Sequence, residues 1–282
     1  MRIWSWVDDV AGIEAIERAL GEPVERPLEV LVDVGRPGGR TGARSLEAAI
    51  AVAERAAASP AVRLAGVTGY EGSVAHGRGE EALASARAYI DELLAVHDAV
   101  AEFYDDGDVL VSAGGSAYPD VVGAAFAAAA VGGDRARFVL RSGADLVHDH
   151  GYYRHNSPFE GAGLRPAARG LARVVSRQDA DTAIVDAGKR DFPYDEGLPT
   201  PLYAITRDGG RMPLPGAETT KLSDQHGFVR IGRDSPLSVG DLVVFGLSHP
   251  CTMLDKWRLV PVVDSVEDLE AAIVTDLVET LF

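Results

Sequence analysis

A chain of 282 residues with 46% hydrophobic and 25% charged residues is long enough to bury a sizeable core, as one large domain or two ordinary ones. Its formal net charge of −16 argues against nucleic acid and anionic membranes as partners, since both want basic surfaces. A single cysteine excludes an internal disulfide and any cysteine-rich structural zinc site, so a reducing, cytoplasmic setting is expected. The longest apolar run, around Val122 to Val131, is alanine-rich and too short to span a bilayer. Nothing resembling a secretory signal opens the sequence.

The first half alternates strand and helix patterns. Ile3 to Val7 reads as a strand, followed by a helix with apolar positions at Ile13, Ile16 and Leu20. Leu28 to Val34 is a near-continuous apolar run, as expected of a strand buried on both faces. A helix follows over Ser45 to Ala58, with Ser45 as N-cap and Glu47 in its first turn. Arg63–Val67, Val109–Ala113 and Arg137–Leu140 are further strands, and Glu80–Tyr104 and Tyr118–Ala130 are helical. This rhythm implies parallel βα units, of which five are fewer than the eight that close a (β/α)₈ barrel.

Beyond about Arg165 the pattern changes to short strands punctuated by Gly and Pro. They are Ala172–Ser176, Thr182–Val185, Leu202–Arg207, Phe228–Ile231, Leu242–Phe245 and Trp257–Val263. The expectation is a boundary at 164/165, an antiparallel β-rich domain after it, and a terminal helix over Val266 to Leu281.

Several segments carry side chains with chemistry. Gly35 to Gly42 is glycine-rich and follows a strand, but it lacks both the P-loop Lys-Ser/Thr end and Gly-x-Gly-x-x-Gly spacing. Arg40 within it places a guanidinium at a strand end, where it can bond a ring nitrogen or a carboxylate. Ser112-Ala113-Gly114-Gly115-Ser116 and Arg141-Ser142-Gly143 end consecutive strands; they are tight turns or a two-sided phosphate cradle. His148-Asp149-His150-Gly151-Tyr152-Tyr153 is dense in titrating and aromatic groups. His226 precedes a strand, where it faces a site or caps a turn. In Ser248-His249-Pro250-Cys251-Thr252, an extended backbone would project His249 and Cys251 from one face. Imidazole and thiolate are both good zinc ligands, so the pair is either an open metal half-site or a histidine beside an inert thiol.

Taken together, these segments resemble the D-serine dehydratase and D-threonine aldolase-like family of pyridoxal-phosphate (PLP) enzymes. The resemblance runs through Leu31-Val32-Asp33-Val34-Gly35, Arg40-Thr41-Gly42, Gly69-Tyr70-Glu71-Gly72, Ser112 to Ser116 and Arg141-Ser142-Gly143. It continues through Val185-Asp186-Ala187-Gly188, Gln225-His226-Gly227, Gly240-Asp241, Ser248 to Thr252 and Asp255-Lys256. It implies an alanine-racemase type of fold, a PLP-binding (β/α)₈ barrel followed by a β-rich domain, here with the barrel incomplete.

The resemblance implies the following roles. His249 and Cys251 hold zinc or another divalent metal beside the substrate's β-hydroxyl; Arg40 lies near the pyridine nitrogen; Tyr70 lines the cofactor; Ser116, Ser142 and Gly143 cradle its phosphate. Tyr70 and His226 are the candidate catalytic side chains. The implied reaction converts a β-hydroxy D-amino acid to a 2-oxo acid and ammonia, in a homodimer. A retro-aldol activity is the alternative, against which Cys251 counts because the family's aldolases tend to carry aspartate there. The departure is lysine. Members of the family carry their Schiff-base lysine near the start of the chain, in a His-x-Lys-Thr-His-Lys type segment. The first lysine here is Lys189, followed only by Lys221 and Lys256, against twenty-four arginines. The expectation is therefore a chain that lacks that region and turns over little by itself. A metal-only protein, or a fragment completed by a partner, is the remaining reading.

Overall fold

The computed structural model describes residues 2–21, 25–132, 135–159 and 163–281. The chain divides into two compact units, Met1–Gly143 and Ala144–Phe282.

The first unit is a run of parallel βα elements: β1 (Trp4–Val7), α1 (Val10–Leu20), β2 (Leu28–Val34), α2 (Leu46–Ala57), β3 (Val62–Gly69), α3 (Glu80–Ala99), β4 (Leu110–Ala113), α4 (Pro119–Val131) and β5 (Arg137–Leu140). Its strands pair in chain order, β1-β2-β3-β4-β5, every pair parallel. Among the described residues β1 and β5 are the sheet's two edges. Helix starts follow the expected capping chemistry. The Asp9 Oδ1 accepts from the Ala11 N–H at 2.7 Å, and the Ser45 Oγ accepts from the Ala48 N–H at 3.2 Å. The apolar run of β2 is buried on both faces, as its composition requires. Val30, Val32 and Val34 join the core with Ile13, Val52, Tyr89 and Leu93, while Leu31 packs with Ala65 and Leu110 on the other side. Gly66 makes the β3–β4 approach possible: its φ is +141°, and a Cβ there would stand 1.8 Å from the Leu110 carbonyl oxygen.

The second unit holds a short helix α5 (Tyr152–Asn156) and the strands β6 (Arg169–Asp179), β7 (Thr182–Val185), β8 (Thr200–Ile205), β9 (Arg211–Pro213), β10 (Glu218–Leu222), β11 (Gly227–Arg230), β12 (Leu242–Gly246), β13 (Leu259–Val263) and β14 (Val274–Glu279). Seven of them form one antiparallel sheet in the order β10-β11-β7-β6-β12-β8-β9. Its core gathers Val174, Val185, Val229, Leu237, Val243 and Phe245.

Three expectations are corrected. The segment Val266 to Leu281 is not a helix: Val274–Glu279 is β14, paired antiparallel with β13 in a separate hairpin. The β-branched pair Ile273-Val274 and the turn closed by the Ile273 N–H on Asp264 Oδ1 at 2.9 Å favour the hairpin. Strands β9 and β10 escaped notice because one has three residues and the other, Glu-Thr-Thr-Lys-Leu, lacks an apolar run. The division between units falls at Gly143/Ala144, ahead of 164/165. Residues 147–152 belong with the second unit because the His150 N–H bonds Leu247 O, the Ala167 N–H bonds Val147 O, and the Tyr152 N–H bonds Ser248 Oγ. No helix among the described residues is long and apolar enough to cross a membrane.

Candidate active site

In the first unit, polar groups collect at the carboxyl ends of β2, β3, β4 and β5, where parallel α/β sheets place ligands. Asp33, on β2, is 8% exposed and accepts from the Thr41 hydroxyl at 2.8 Å. Glu71, just beyond β3, is fully buried; its Oε1 accepts from the Gly115 N–H at 2.8 Å and its Oε2 has no partner. Burial pushes both carboxyls above the ordinary range, against their hydrogen bonds and the nearby Arg141 guanidinium. Arg141, at the end of β5, donates from Nη2 to Gly69 O at 2.5 Å and lies 4.6 Å from the centre of the Trp6 ring. Thr68 Oγ1 is buried among these groups without a partner.

The residues singled out in this unit lie at the same strand ends. The Arg40 guanidinium stacks over the Tyr70 ring at 5.1 Å. Arg44 organises the loop that presents Arg40, donating to the carbonyls of Arg36, Gly39, Arg40 and Thr41. The Tyr70 ring lies so close over Gly115 that a Cβ there would stand 2.6 Å from it. From the β4 and β5 loops, the Ser142 and Ser116 hydroxyls meet at 3.3 Å. These two hydroxyls, with Gly143 open beside them, fit the phosphate end of PLP. An amine for the aldehyde is another matter, because no lysine precedes Lys189. In the second unit Lys189 and Lys256 flank Tyr194, at 5.7 and 5.5 Å from its ring centre, and Lys221 lies over Phe228.

In the second unit, the geometric premise for His249 and Cys251 is corrected, although the two side chains do meet. Residues 250–252 form a 3₁₀ turn, not an extended segment, and His249 before it is left-handed with φ 57°. The turn brings the imidazole and the Cys251 thiol into hydrogen-bond contact. The His249 Nδ1 lies 2.7 Å from Asp195 Oδ2, whose other oxygen accepts from the Thr252 hydroxyl at 3.2 Å. The imidazole pKa is pushed up to about 9, first by Cys251 and then by Asp195, against the opposing effect of burial. With Nδ1 held by a carboxylate, Nε2 is the nitrogen left for a metal, the usual carboxylate–histidine–metal relay. Among the described residues no three His, Cys, Asp or Glu side chains form a ready-made metal cage. The Cys251 thiol is exposed and available to an ion.

His226 is not brought into this cluster. It is exposed at the β10–β11 turn, where its carbonyl accepts from the Ser223 N–H at 2.8 Å. Of the groups not foreseen, Asp33 had a sequence signal, a carboxylate near the end of a largely apolar strand. Asp195 had none, since 54 residues separate it from His249.

Residues 167–263 match the model of the putative serine dehydratase domain, and His249, Cys251 and Asp195 all fall within that span. The chain is similar to the 3-hydroxy-D-aspartate aldolase of Paracoccus denitrificans (strain Pd 1222), 26% identical over 258 residues that cover 89% of this chain and 61% of that protein. It is also similar to the D-threonine aldolase of Arthrobacter sp, 27% identical over 227 residues covering 80% and 54% of the two chains. The crystal structure of D-threonine aldolase from Filomicrobium marinum superposes with a TM-score of 0.76 at 22% identity, over 98% of this chain and 68% of that one. The chain thus spans only 54–61% of the length of these curated relatives. A parallel βα unit followed by an antiparallel β domain defines the alanine-racemase class of fold. Within that class, the chain resembles the D-serine dehydratase and D-threonine aldolase-like family, through the matched residues 167–263 and these relatives.

Proposed function

We propose that this chain carries the binding machinery of a PLP- and metal-dependent lyase acting on β-hydroxy D-amino acids, with elimination of water and ammonia release as the reaction. The carrying observation is the Asp195–His249–Cys251 cluster, which sits inside the span matching the serine dehydratase domain model. PLP, when bound, supplies an electron-withdrawing ring that acidifies the substrate's α-proton. A divalent ion, when bound, supplies Lewis acidity at the β-hydroxyl. Ser116 and Ser142 would hold the phosphate through their hydroxyls, with open space at Gly143 beside them. Arg40, held over Tyr70, presents a permanent cation to the cofactor ring. Asp195 fixes the His249 ring so that one nitrogen remains a metal ligand.

The chain's own residues stop short of a full cycle. With no lysine in the first unit, nothing there can hold the cofactor covalently or take the α-proton as the family's lysine does. The expected behaviour of the 282 residues alone is reversible PLP uptake, weakened in Ser116→Ala and Ser142→Ala, and negligible turnover without an amine supplied from elsewhere. The test combines PLP and Zn²⁺ titrations of the purified chain with product analysis on β-hydroxy D-amino acids, with and without added methylamine. Failure to bind both PLP and Zn²⁺ would sink the reading; robust turnover with no added amine would sink the lysine argument alone.

The aldolase reading stays open because both curated relatives are named as aldolases. The same assay separates the two, since elimination yields ammonia and a 2-oxo acid whereas retro-aldol cleavage yields glycine and an aldehyde.

A further inference from the structure

The second unit contains a cavity of about 280 Å³ that neither the cofactor nor the metal reading uses. His148, Asp149, His150 and Arg154 border it, with Leu164 and Pro166 as an apolar wall. Both histidines that line it keep a buried Nδ1 without any hydrogen-bond partner. A buried, unpaired ring nitrogen is uncommon in folded proteins and points to an unseen water, ion or ligand. Here two occur two residues apart, on one cavity.

The surrounding structure holds these rings in place. His148 is 8% exposed and adopts φ 52°, an uncommon backbone for a side chain of its size, with its N–H bonded to Ala144 O at 2.7 Å. The His150 N–H bonds Leu247 O at 2.9 Å, and its ring packs where a Cβ on Gly246 would stand, 2.3 Å from its Cγ. Asp149 is the one carboxylate on the cavity, and backbone amides engage it. Its Oδ1 accepts from Gly151 and Tyr153, each at 2.9 Å, and its Oδ2 accepts from His249 at 2.8 Å. Arg154 is exposed, and no carboxylate among the described residues pairs with its guanidinium. Burial first, and then the Arg169 and Arg154 charges, hold the His150 pKa down at about 4. The hollow thus sets the Arg154 guanidinium and two unsatisfied imidazoles against a carboxylate, Asp149, that backbone amides already engage.

We propose that this cavity is an oxyanion-binding site, in which the imidazoles of His148 and His150 and the guanidinium of Arg154 hold the phosphate or carboxylate oxygens of a small acid. The apolar wall of Leu164 and Pro166 favours a ligand with a short carbon face over a bare ion of the same charge. None of its lining side chains is a proposed cofactor or metal ligand, and its link to the His249–Cys251 pair is the His249 N–H on Asp149 at 2.8 Å.

The experiment is an imidazole ¹⁵N NMR titration of the full chain with inorganic phosphate and, separately, with malonate, at constant ionic strength set by chloride. Saturable shifts confined to His148 and His150 are expected, with His155 as an exposed internal control. Arg154→Gln, a surface change that leaves the fold intact, should weaken binding at least about tenfold, the usual loss for a charge-assisted contact. A malonate response stronger than phosphate assigns the site to organic acids, and the reverse assigns it to phosphate groups. Shifts no larger than chloride produces, or binding unchanged in Arg154→Gln, would mean that ordered water alone satisfies these rings, and the proposal would be wrong.

Discussion

The strand-end cluster of the first unit and the His249 cluster of the second both bury polar groups, and they push them in opposite directions. Asp33 and Glu71 sit where burial dominates, so their carboxyls rise toward the neutral form despite the nearby Arg141. His249 sits where partners dominate, so its imidazole is driven toward the charged form by Cys251 and Asp195. The lesson is one of construction. Backbone geometry builds the first cluster: parallel strands end together and close glycine contacts bring loops within reach. Side chains build the second, by bridging segments 54 to 100 residues apart. Each design fails in its own way.

The largest effect is expected where backbone geometry is broken. Gly66→Ala forces a Cβ onto the Leu110 carbonyl at a positive φ, so denaturant titration should register a loss of about 4 kcal/mol or more. Unchanged stability would mean that β3 and β4 can separate without harm to the unit. Next comes acid sensitivity in the second unit. His150 has its folded pKa lowered from 6.5 to about 4, so the neutral ring's contribution is present above 6.5 and lost as pH falls through that window. Wild type should therefore lose about 1–2 kcal/mol between those pH values, after allowance for solvent screening, that His150→Gln does not lose, as read from paired denaturation curves. Asp195→Asn tests whether a partner side chain really orients the half-site. Cobalt titration followed by thiolate charge-transfer absorption should show metal binding weakened roughly 10–100-fold, with folding intact. If wild type binds cobalt and the variant binds it equally well, Asp195 is a bystander. The smallest effect belongs to the terminal hairpin. Leu277 is 55% exposed on β14, so Leu277→Gln should change stability by less than about 0.5 kcal/mol.

Legibility followed the same division. The strands of the first unit can be read because a strand buried on both faces leaves a near-continuous apolar run, as Leu28 to Val34 does. Ser45 can be read as a cap because capping is local. By contrast, β14 is exposed along its whole length, so it lacks the one-sided alternation that distinguishes a strand from a helix, and its sequence reads as either. Ser116 and Ser142 could be paired because their strands are neighbours in sequence and in the sheet. Asp195 and Asp149 could not be assigned to His249, since nothing in the spacing of residues tells which distant turn will fold against which. His226 is legible by residue type alone, and its placement is an exposed turn before β11.

The bond from the His249 amide to Asp149 has a kinetic meaning as well. It joins residues 100 positions apart, and the φ 57° of His249 is held only once that contact exists. Closing so long a loop carries an entropy penalty before any compensating interaction forms, which slows folding of the segments it joins. The half-site is consequently assembled late, after the seven-stranded sheet has supplied the surfaces on which both loops rest. Cys251 stays exposed in the folded chain, so this late contact sets the thiol's imidazole neighbour and leaves its access to solvent unchanged.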